Sequence, residues 1–338
     1  MKSQRVLCLV HETLVPPKRT NTTEDFHDQP WRTERYVSDA LERLGHTVKM
    51  CGVQYDLSVV RTAIEEFKPD LIFNLLEEFH GQPLYDQNVV SYLELVPVPY
   101  TGCNPRGMIL ARDKALARKI LSYHRIPGPN FAVYPRGSRK KSRGKLAFPL
   151  LVKSQMEEAS LGISQKSVVQ TDEELASRIS LMHERYKTGV IAEEYISGRE
   201  LYVGIFGDQR LVVFPIWELV LDNLPEHTPH IATRRVKWNR EYQERYKIVS
   251  KRAEGLSAAL EDAIYTVAKR TYRALGLSGY ARIDMRLTND ERVFVIEANP
   301  NPEIADGEDF ADAARCYGWD YDSLINRLVL QGIRRRML

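Results

Sequence analysis

The chain has 338 residues, enough for two or three compact domains, and 43% of them are hydrophobic, which excludes a disordered polypeptide. Its 48 basic and 45 acidic residues leave a net charge of +3, too small to argue for a nucleic-acid partner. The four cysteines, Cys8, Cys51, Cys103 and Cys316, lie far apart without a C-x-x-C pair, which speaks against a disulfide framework or zinc site and fits a reducing cytoplasm. No apolar run has the length of a secretory signal or a membrane span, so the expectation is a soluble, cytoplasmic protein with no membrane partner.

In chain order, RVLCLV reads as a strand, Trp31 to Leu44 as a helix, TVKMCGV as a strand, Leu57 to Phe67 as a helix and DLIFNLL as a strand. That alternation predicts a parallel sheet with helices on its faces. A last strand near PVPYTGC leads into one helical pattern, Met108 to His124, which carries Lys114 and Lys119 and ends at RIPGPNF. The stretch RGSRKKSRGK, Arg136 to Lys145, is basic, with Gly and Ser, and cannot bury a core. It reads as a surface loop or as a basic flap over an anionic partner, and it lacks the aromatic interleaving of a nucleic-acid surface.

Next come FPLLVKS as a strand, Asp172 to Tyr186 as a helix capped by Thr171, and the strands VIAEEYI, ELYVGIFG and RLVVFPIWEL, an α+β pattern. Residues 222–255 are irregular, and a loop that long within a compact domain is usually functional. Glu226, His227 and His230 in it have no further ligand nearby, so a lid is favoured over a metal site. A long helix from Leu256 to Leu275, the strands Tyr280 to Leu287 and Val293 to Asn299, and closing helices complete the chain.

The sharpest chemical signal lies in the last two strands. TND after Leu287 is turn chemistry, so the strands form an antiparallel hairpin with Asp284 opposite Glu297. Alternation then puts Arg282 and Asp284 on one face of the first strand, with Glu297 and Asn299 likewise on the second. Two carboxylates and a carboxamide, without histidine or thiolate, form a hard-oxygen set suited to Mg²⁺, with Mn²⁺ also admitted, and Arg282 beside them suits developing negative charge. A surface salt bridge is the alternative. Lys153 ends FPLLVKS, and SQMEEASLGIS after it could close over phosphates; Glu193 and Glu200 flank a turn at Gly198, where adenine could be met or an ordinary charged hairpin could stand.

These pieces in this order, FNLLEEFHG, PYTGCNPRGMILARDKALARKIL, FPLLVKS, EEYISGRE, VKWN, GYARIDM and VIEANPNP, resemble an ATP-grasp carboxylate–amine ligase, nearest in layout to the D-alanine:D-alanine ligases. The resemblance covers most of the chain. It implies an ATP-grasp fold, α/β and α+β: an N-terminal parallel α/β domain (1–107), a central lid subdomain (108–190) and a C-terminal catalytic subdomain (191–338). It implies ATP as cofactor, an acyl-phosphate intermediate, and small-molecule or peptide carboxylate and amine substrates; relatives of this kind suggest a homodimer through the N-terminal domain.

By the same resemblance Lys114, Lys153 and the mobile-loop Lys237 are phosphate ligands, with Ser160 and Gly162 in the phosphate loop. Glu193 and the backbone from Glu194 to Ile196 meet adenine, and Glu200 meets ribose. Asp284, Glu297 and Asn299 become the Mg²⁺ ligands, and Arg282, with Lys153 and Lys237, the catalytic cations. Glu34, Glu77 and His80 are implied first-substrate contacts, the last two equally readable as a surface turn.

The sequence departs from the dipeptide ligases in the long loop before Glu34, in Glu158, Ala159 and Ser160 where they have two serines, and in PNPEIADGEDFADAA after Asn299. Glu303, Asp306, Glu308 and Asp309 would repel an acceptor carboxylate and favour an amine-bearing acceptor, or else cap the following helix. The leading expectation is therefore a carboxylate–amine ligase outside the cell-wall group. A D-alanine:D-alanine ligase with a divergent pocket is the alternative, and a non-catalytic ATP-binding regulator is disfavoured by the intact metal set.

Overall fold

The structure, a computed structural model, describes residues 2–18, 26–138, 142–156 and 162–335. The N-terminal part contains β1 (Arg5–His11), α1 (Arg32–Arg43), β2 (Thr47–Val53), α2 (Ser58–Phe67), β3 (Leu71–Asn74) and α3 (Asp86–Leu95). Its three strands pair in parallel in the order β2-β1-β3. Because both faces are covered, β1 is apolar from Val6 to Val10: Leu7 and Leu9 pack toward α2 and α3, while Val6, Cys8 and Val10 meet Val37 and Leu41 of α1.

The expected single helix from Met108 to His124 is two, α4 (Pro105–Arg112) and α5 (Lys114–Tyr123). Asp113 breaks it, because its side chain accepts from the backbone N–H groups of Ala115 and Leu116 at 3.0 Å each and so starts a new helix. That break sets Lys114 at the first position of α5.

The central sheet is antiparallel, in the order β4-β7-β5-β6, built from β4 (Phe131–Tyr134), β5 (Leu150–Ser154), β6 (Val168–Val169) and β7 (Val190–Glu194), with α6 (Asp172–Arg185) packed on it. The expected subdomain boundary at 190 falls at the first residue of β7, so the chain leaves this sheet only at Glu194.

The C-terminal sheet runs β11-β10-β8-β12-β13, with β9 also on β8. It comprises β8 (Arg199–Phe206), β9 (Val212–Val213), β10 (Trp217–Val220), β11 (Val249–Arg252), β12 (Tyr280–Leu287) and β13 (Val293–Asn299). RLVVFPIWEL is two short strands, separated at Phe214 to Ile216. The segment expected to be irregular holds α7 (Arg234–Trp238) and α8 (Arg240–Tyr246), which close a small apolar cluster of Leu221, Leu224, Val236 and Ile248. Helix α9 (Ala258–Ala274) covers one face of the sheet. Helices α10 (Asp309–Tyr317) and α11 (Tyr321–Arg335) pack back on the N-terminal sheet: Phe310, Leu324 and Leu328 share a core with Val6 and Val37. The first and last parts of the chain therefore have a common core.

The turn into β8 depends on Gly198. Its φ is 141°, and a Cβ there would lie 2.1 Å from the Leu287 carbonyl oxygen. Gly198→Ala is expected to cost about 2 kcal/mol or more, read as a lower unfolding midpoint, whereas at Gly137, where nothing lies within 4 Å, the same change meets only the unfavourable φ of 82°.

Candidate active site

The hairpin of β12 and β13 has the expected register: Asp284 pairs with Glu297 and Arg282 with Asn299. The register shifts after Asp284, leaving Ile296 as an extra residue. Arg282 grips Asp284 through two bonds, Nε to Oδ1 at 2.7 Å and Nη2 to Oδ2 at 2.9 Å, and its guanidinium lies 4.4 Å from the Tyr202 ring centroid. Burial pushes the Asp284 carboxyl up despite that arginine. At Glu297 burial acts in the same direction, but Lys114, Lys153 and Lys237 outweigh it and hold the carboxyl at about 2. Lys114 Nζ is 2.8 Å from Glu297. Asn299 Oδ1 accepts from the Asn301 N–H at 3.0 Å, which fixes its orientation.

A cleft between the central and C-terminal sheets is lined by Leu151, Lys153, Glu193 to Ile196, Glu200, Lys237, Asp284, Ile296 and Glu297, among others. It thus brings together Lys153, Lys237, Glu194, Ile196 and Glu200 with two of the metal candidates. Glu193 is buried and committed: its carboxylate meets Lys153 at 2.7 Å and Arg118 at 2.5 Å. Burial raises its pKa, yet the two cations prevail and hold it below the usual carboxylate range. The Glu194 side chain faces the neighbouring loop, accepting from Asn130 Nδ2 and the Ala147 N–H, both at 2.9 Å, and its backbone N–H donates to the Asn130 carbonyl at 2.9 Å.

Glu200 accepts from Arg286 at 2.6 Å and from the Tyr202 hydroxyl at 2.9 Å. Gly162 is left-handed, with φ 73°, and its carbonyl accepts from Arg178; its neighbour Ile163 lines the cleft. Ser160, with Glu158 and Ala159, lies outside the described residues, as does the Arg139 to Lys141 part of the basic loop.

Two arginines were missed in the sequence. Arg118 bonds Glu193 and also donates to the carbonyls of Val295 and Ile296, tying α5, the central sheet and β13 together at one point. Its place one turn after Lys114 was the available signal. Arg286 bonds the Gly198 carbonyl at 2.9 Å, Glu200, and the His230 carbonyl in the 222–255 segment. It continues the alternation of Arg282 and Asp284. The His230 N–H donates to the Tyr195 hydroxyl at 3.0 Å, and His227 is exposed, 3.9 Å from Glu226. Among the described residues no group of three or more His, Cys, Asp or Glu could hold a metal, so the hard-oxygen set rests on its asparagine.

On the substrate side Glu34, in the first turn of α1, is 4% exposed, and its Oε2 has no hydrogen-bond partner. Burial pushes its carboxyl up to about 7, with Glu303 adding to the rise. Glu77 is exposed beside the β3 end, and its charge reaches Tyr280. His80 is on an exposed left-handed turn at φ 57°, its ring 5.5 Å from that of Tyr55, which is the surface-turn alternative. The acidic segment differs from expectation. Asp306 is paired with Arg315 and Glu308 with Arg32, so neither stands as a free negative charge. Glu308 occupies the cap position of α10 without a side-chain capping bond.

The fold and this cleft define an ATP-grasp ligase, an ADP-forming enzyme that makes carbon–nitrogen bonds. Residues 120–330 match the family model described as D-ala D-ala ligase C-terminus. The chain is 32% identical to the D-alanine–D-alanine ligase of Desulforudis audaxviator, over 88% of this chain and 92% of that one. It is 30% identical to the Sinorhizobium fredii protein y4sG, over 91% and 90%. The Bacillus anthracis D-alanine–D-alanine ligase solved with ATP superposes with a TM-score of 0.74 at 22% identity, covering 98% of this chain and 99% of that one. The Enterococcus faecalis VanG D-Ala:D-Ser ligase gives 0.72 at 20%, covering 98% and 100%. The chain belongs to the D-alanine–D-alanine ligase family. The family evidence favours the alternative drawn from the sequence, a D-alanine-type ligase with a divergent pocket, over a ligase outside that group, and the pairing of Asp306 with Arg315 and of Glu308 with Arg32 weakens the physical objection to it.

Because Arg118 serves three elements, Arg118→Met should cost about 3 kcal/mol by leaving buried Glu193 with one cation. Adding Glu193→Gln should recover part of the loss in a double-mutant cycle of unfolding midpoints; full additivity would contradict the pairing.

Proposed function

We propose that this chain joins two D-amino acids, D-alanine as the first, in a reaction driven by ATP and Mg²⁺. The observation that carries the reading is the cross-strand set Arg282, Asp284, Glu297 and Asn299, of which Asp284 and Glu297 line a cleft that Lys153 and Lys237 also line. Phosphoryl transfer needs positioning and charge neutralisation more than a protein nucleophile, and these groups provide both.

In this reading Asp284, Glu297 and Asn299 hold the Mg²⁺, with Mn²⁺ as substitute, and the metal neutralises phosphate charge when bound. Lys114 and Lys153, now spent on Glu297 and Glu193, turn to phosphate oxygens with Lys237. The backbone from Glu194 to Ile196 receives adenine and Glu200 the ribose. Glu193 acts through Lys153, which it holds in place, more than through the base itself.

Glu34 takes the ammonium of the first amino acid, whose carboxylate oxygen bonds to the γ-phosphorus as the bond to ADP breaks. The acceptor amine then attacks the acyl phosphate, and phosphate leaves; Arg282 stabilises the oxyanion of that step. Support for the amino-acid substrate comes from Glu34, a buried carboxylate with an unpartnered oxygen, which an ammonium would satisfy.

The test is incubation of the purified protein with ATP, Mg²⁺ and D- or L-amino acids, singly and in pairs, with mass spectrometry of the products. The expected outcome is dipeptide from D-alanine with ADP and phosphate; ligation restricted to another carboxylate and amine would overturn it. Asp284→Asn combined with Glu297→Gln should lower turnover at least about a hundredfold.

Glu34 also sets a pH dependence. Its folded pKa of about 7 lies above the ordinary 4.5, so the folded state keeps the proton longer, and Glu34's contribution makes stability fall as pH rises from about 4.5 to 7. Binding an ammonium needs the ionised form, so kcat/KM for the first amino acid should rise through about pH 7. Glu34→Gln should remove that limb and raise the KM for the first amino acid; an unchanged profile would exclude Glu34 from the site.

A further inference from the structure

An amino-acid acceptor brings a carboxylate close to its attacking amine, and a part-buried subsite can take that charge only by offering a cation. Most cations near the reaction centre already have work there. Lys114 meets Glu297, Lys153 meets Glu193, and Arg282 donates to Asp284 through Nε and Nη2. Arg32 is placed differently. It opens α1, two residues before Glu34, and is 22% exposed.

Glu308 reaches Arg32 through a single guanidinium nitrogen, Nη2. The next residue, Asp309, lies 4.0 Å from Arg282, so the 308–309 step has Arg32 on one carboxylate and the oxyanion-side arginine on the other. Thr33 anchors the same junction by donating to Glu303 at 2.7 Å, and Glu303 also accepts from the Ala305 N–H at 3.1 Å. Three successive residues of α1, Arg32, Thr33 and Glu34, thus face the segment that follows the metal asparagine.

We propose that Arg32, held in position by Glu308, is the group that receives the carboxylate of the acceptor amino acid. The donor's carboxylate must lie at the phosphate and cannot use Arg32, so a guanidinium on the substrate side serves the second amino acid. One nitrogen on Glu308 fixes the plane of the fork, and the remaining N–H groups present the flat, two-point geometry that a carboxylate prefers. Glu308 is then a positioning residue, and the acids of the segment orient a cation; they do not themselves select a cationic acceptor. This inference rests on the ligase reading above.

The experiment uses the full chain with ATP, Mg²⁺ and D-alanine as donor, and compares D-alanine with D-alaninamide as acceptor, products being separated by mass. D-alaninamide lacks the carboxylate and cannot act as donor. The wild type should prefer the acid. Arg32→Ala should raise the acceptor KM for D-alanine about 10- to 100-fold and leave the amide nearly unchanged, so that discrimination disappears. Arg32→Lys, which keeps the charge and guards against a folding defect, should retain part of the preference, and Glu308→Gln should weaken it without abolishing it.

An unchanged acid-to-amide ratio in Arg32→Ala, or equal loss with both acceptors in both Arg32 variants, would overturn the proposal while leaving the ligase reading intact. A wild-type preference for the amide would overturn it in favour of an acidic acceptor pocket. No ligated product from the wild type with either acceptor would overturn both readings together.

Discussion

The structure depends on a set of ion pairs buried where the central and C-terminal sheets meet. Glu193, 2% exposed on its side chain, is shared by Lys153 and Arg118; Glu297 is met by Lys114, and Asp284 by Arg282. Each charge would be costly to bury alone, and together they compensate one another across β5, β7, α5 and the β12–β13 hairpin. The arrangement joins elements distant in sequence and also collects cations where a polyphosphate and a metal would sit. Lys114 occupies Glu297 in this structure, so in the proposed reading nucleotide and metal binding would be an exchange of partners within a set already assembled.

The β12–β13 hairpin was legible in the sequence because its signals are local. Alternation in β12 and β13, with a turn at 288–290, specifies which residues share a face and which pair across the strands, and the pairing of Asp284 with Glu297 follows. Thr171 as a helix start was readable for the same reason, its side chain accepting from Glu174 at 3.2 Å. The elements that escaped are those decided at short range by one side chain or at long range by packing. Asp113 splits a continuous helical pattern by a capping bond, and α3, of weak amphipathic character, is fixed by burial of Val89, Val90 and Leu93 against the parallel sheet.

The site was less legible where the partner of a charge is remote. Arg118 lies 75 residues from Glu193, and Arg32 lies 276 from Glu308. No periodicity reports such contacts. The acidic run after Asn299 consequently reads as net negative charge, and that charge is offset in part by arginines that arrive from α1 and from within α10. Charge counted along a segment describes a pocket poorly when its neutralising groups come from elsewhere.

The central claim is that the β12–β13 oxygens and the surrounding lysines form a metal–nucleotide site. Calorimetric titration of the purified chain with ADP, in excess Mg²⁺ and again in EDTA, tests it most directly. The account predicts binding that is markedly tighter with Mg²⁺ and that loses this advantage when Glu297 is changed to Gln. Equal affinity in the two buffers, or an Mg²⁺ advantage that survives Glu297→Gln, would contradict it.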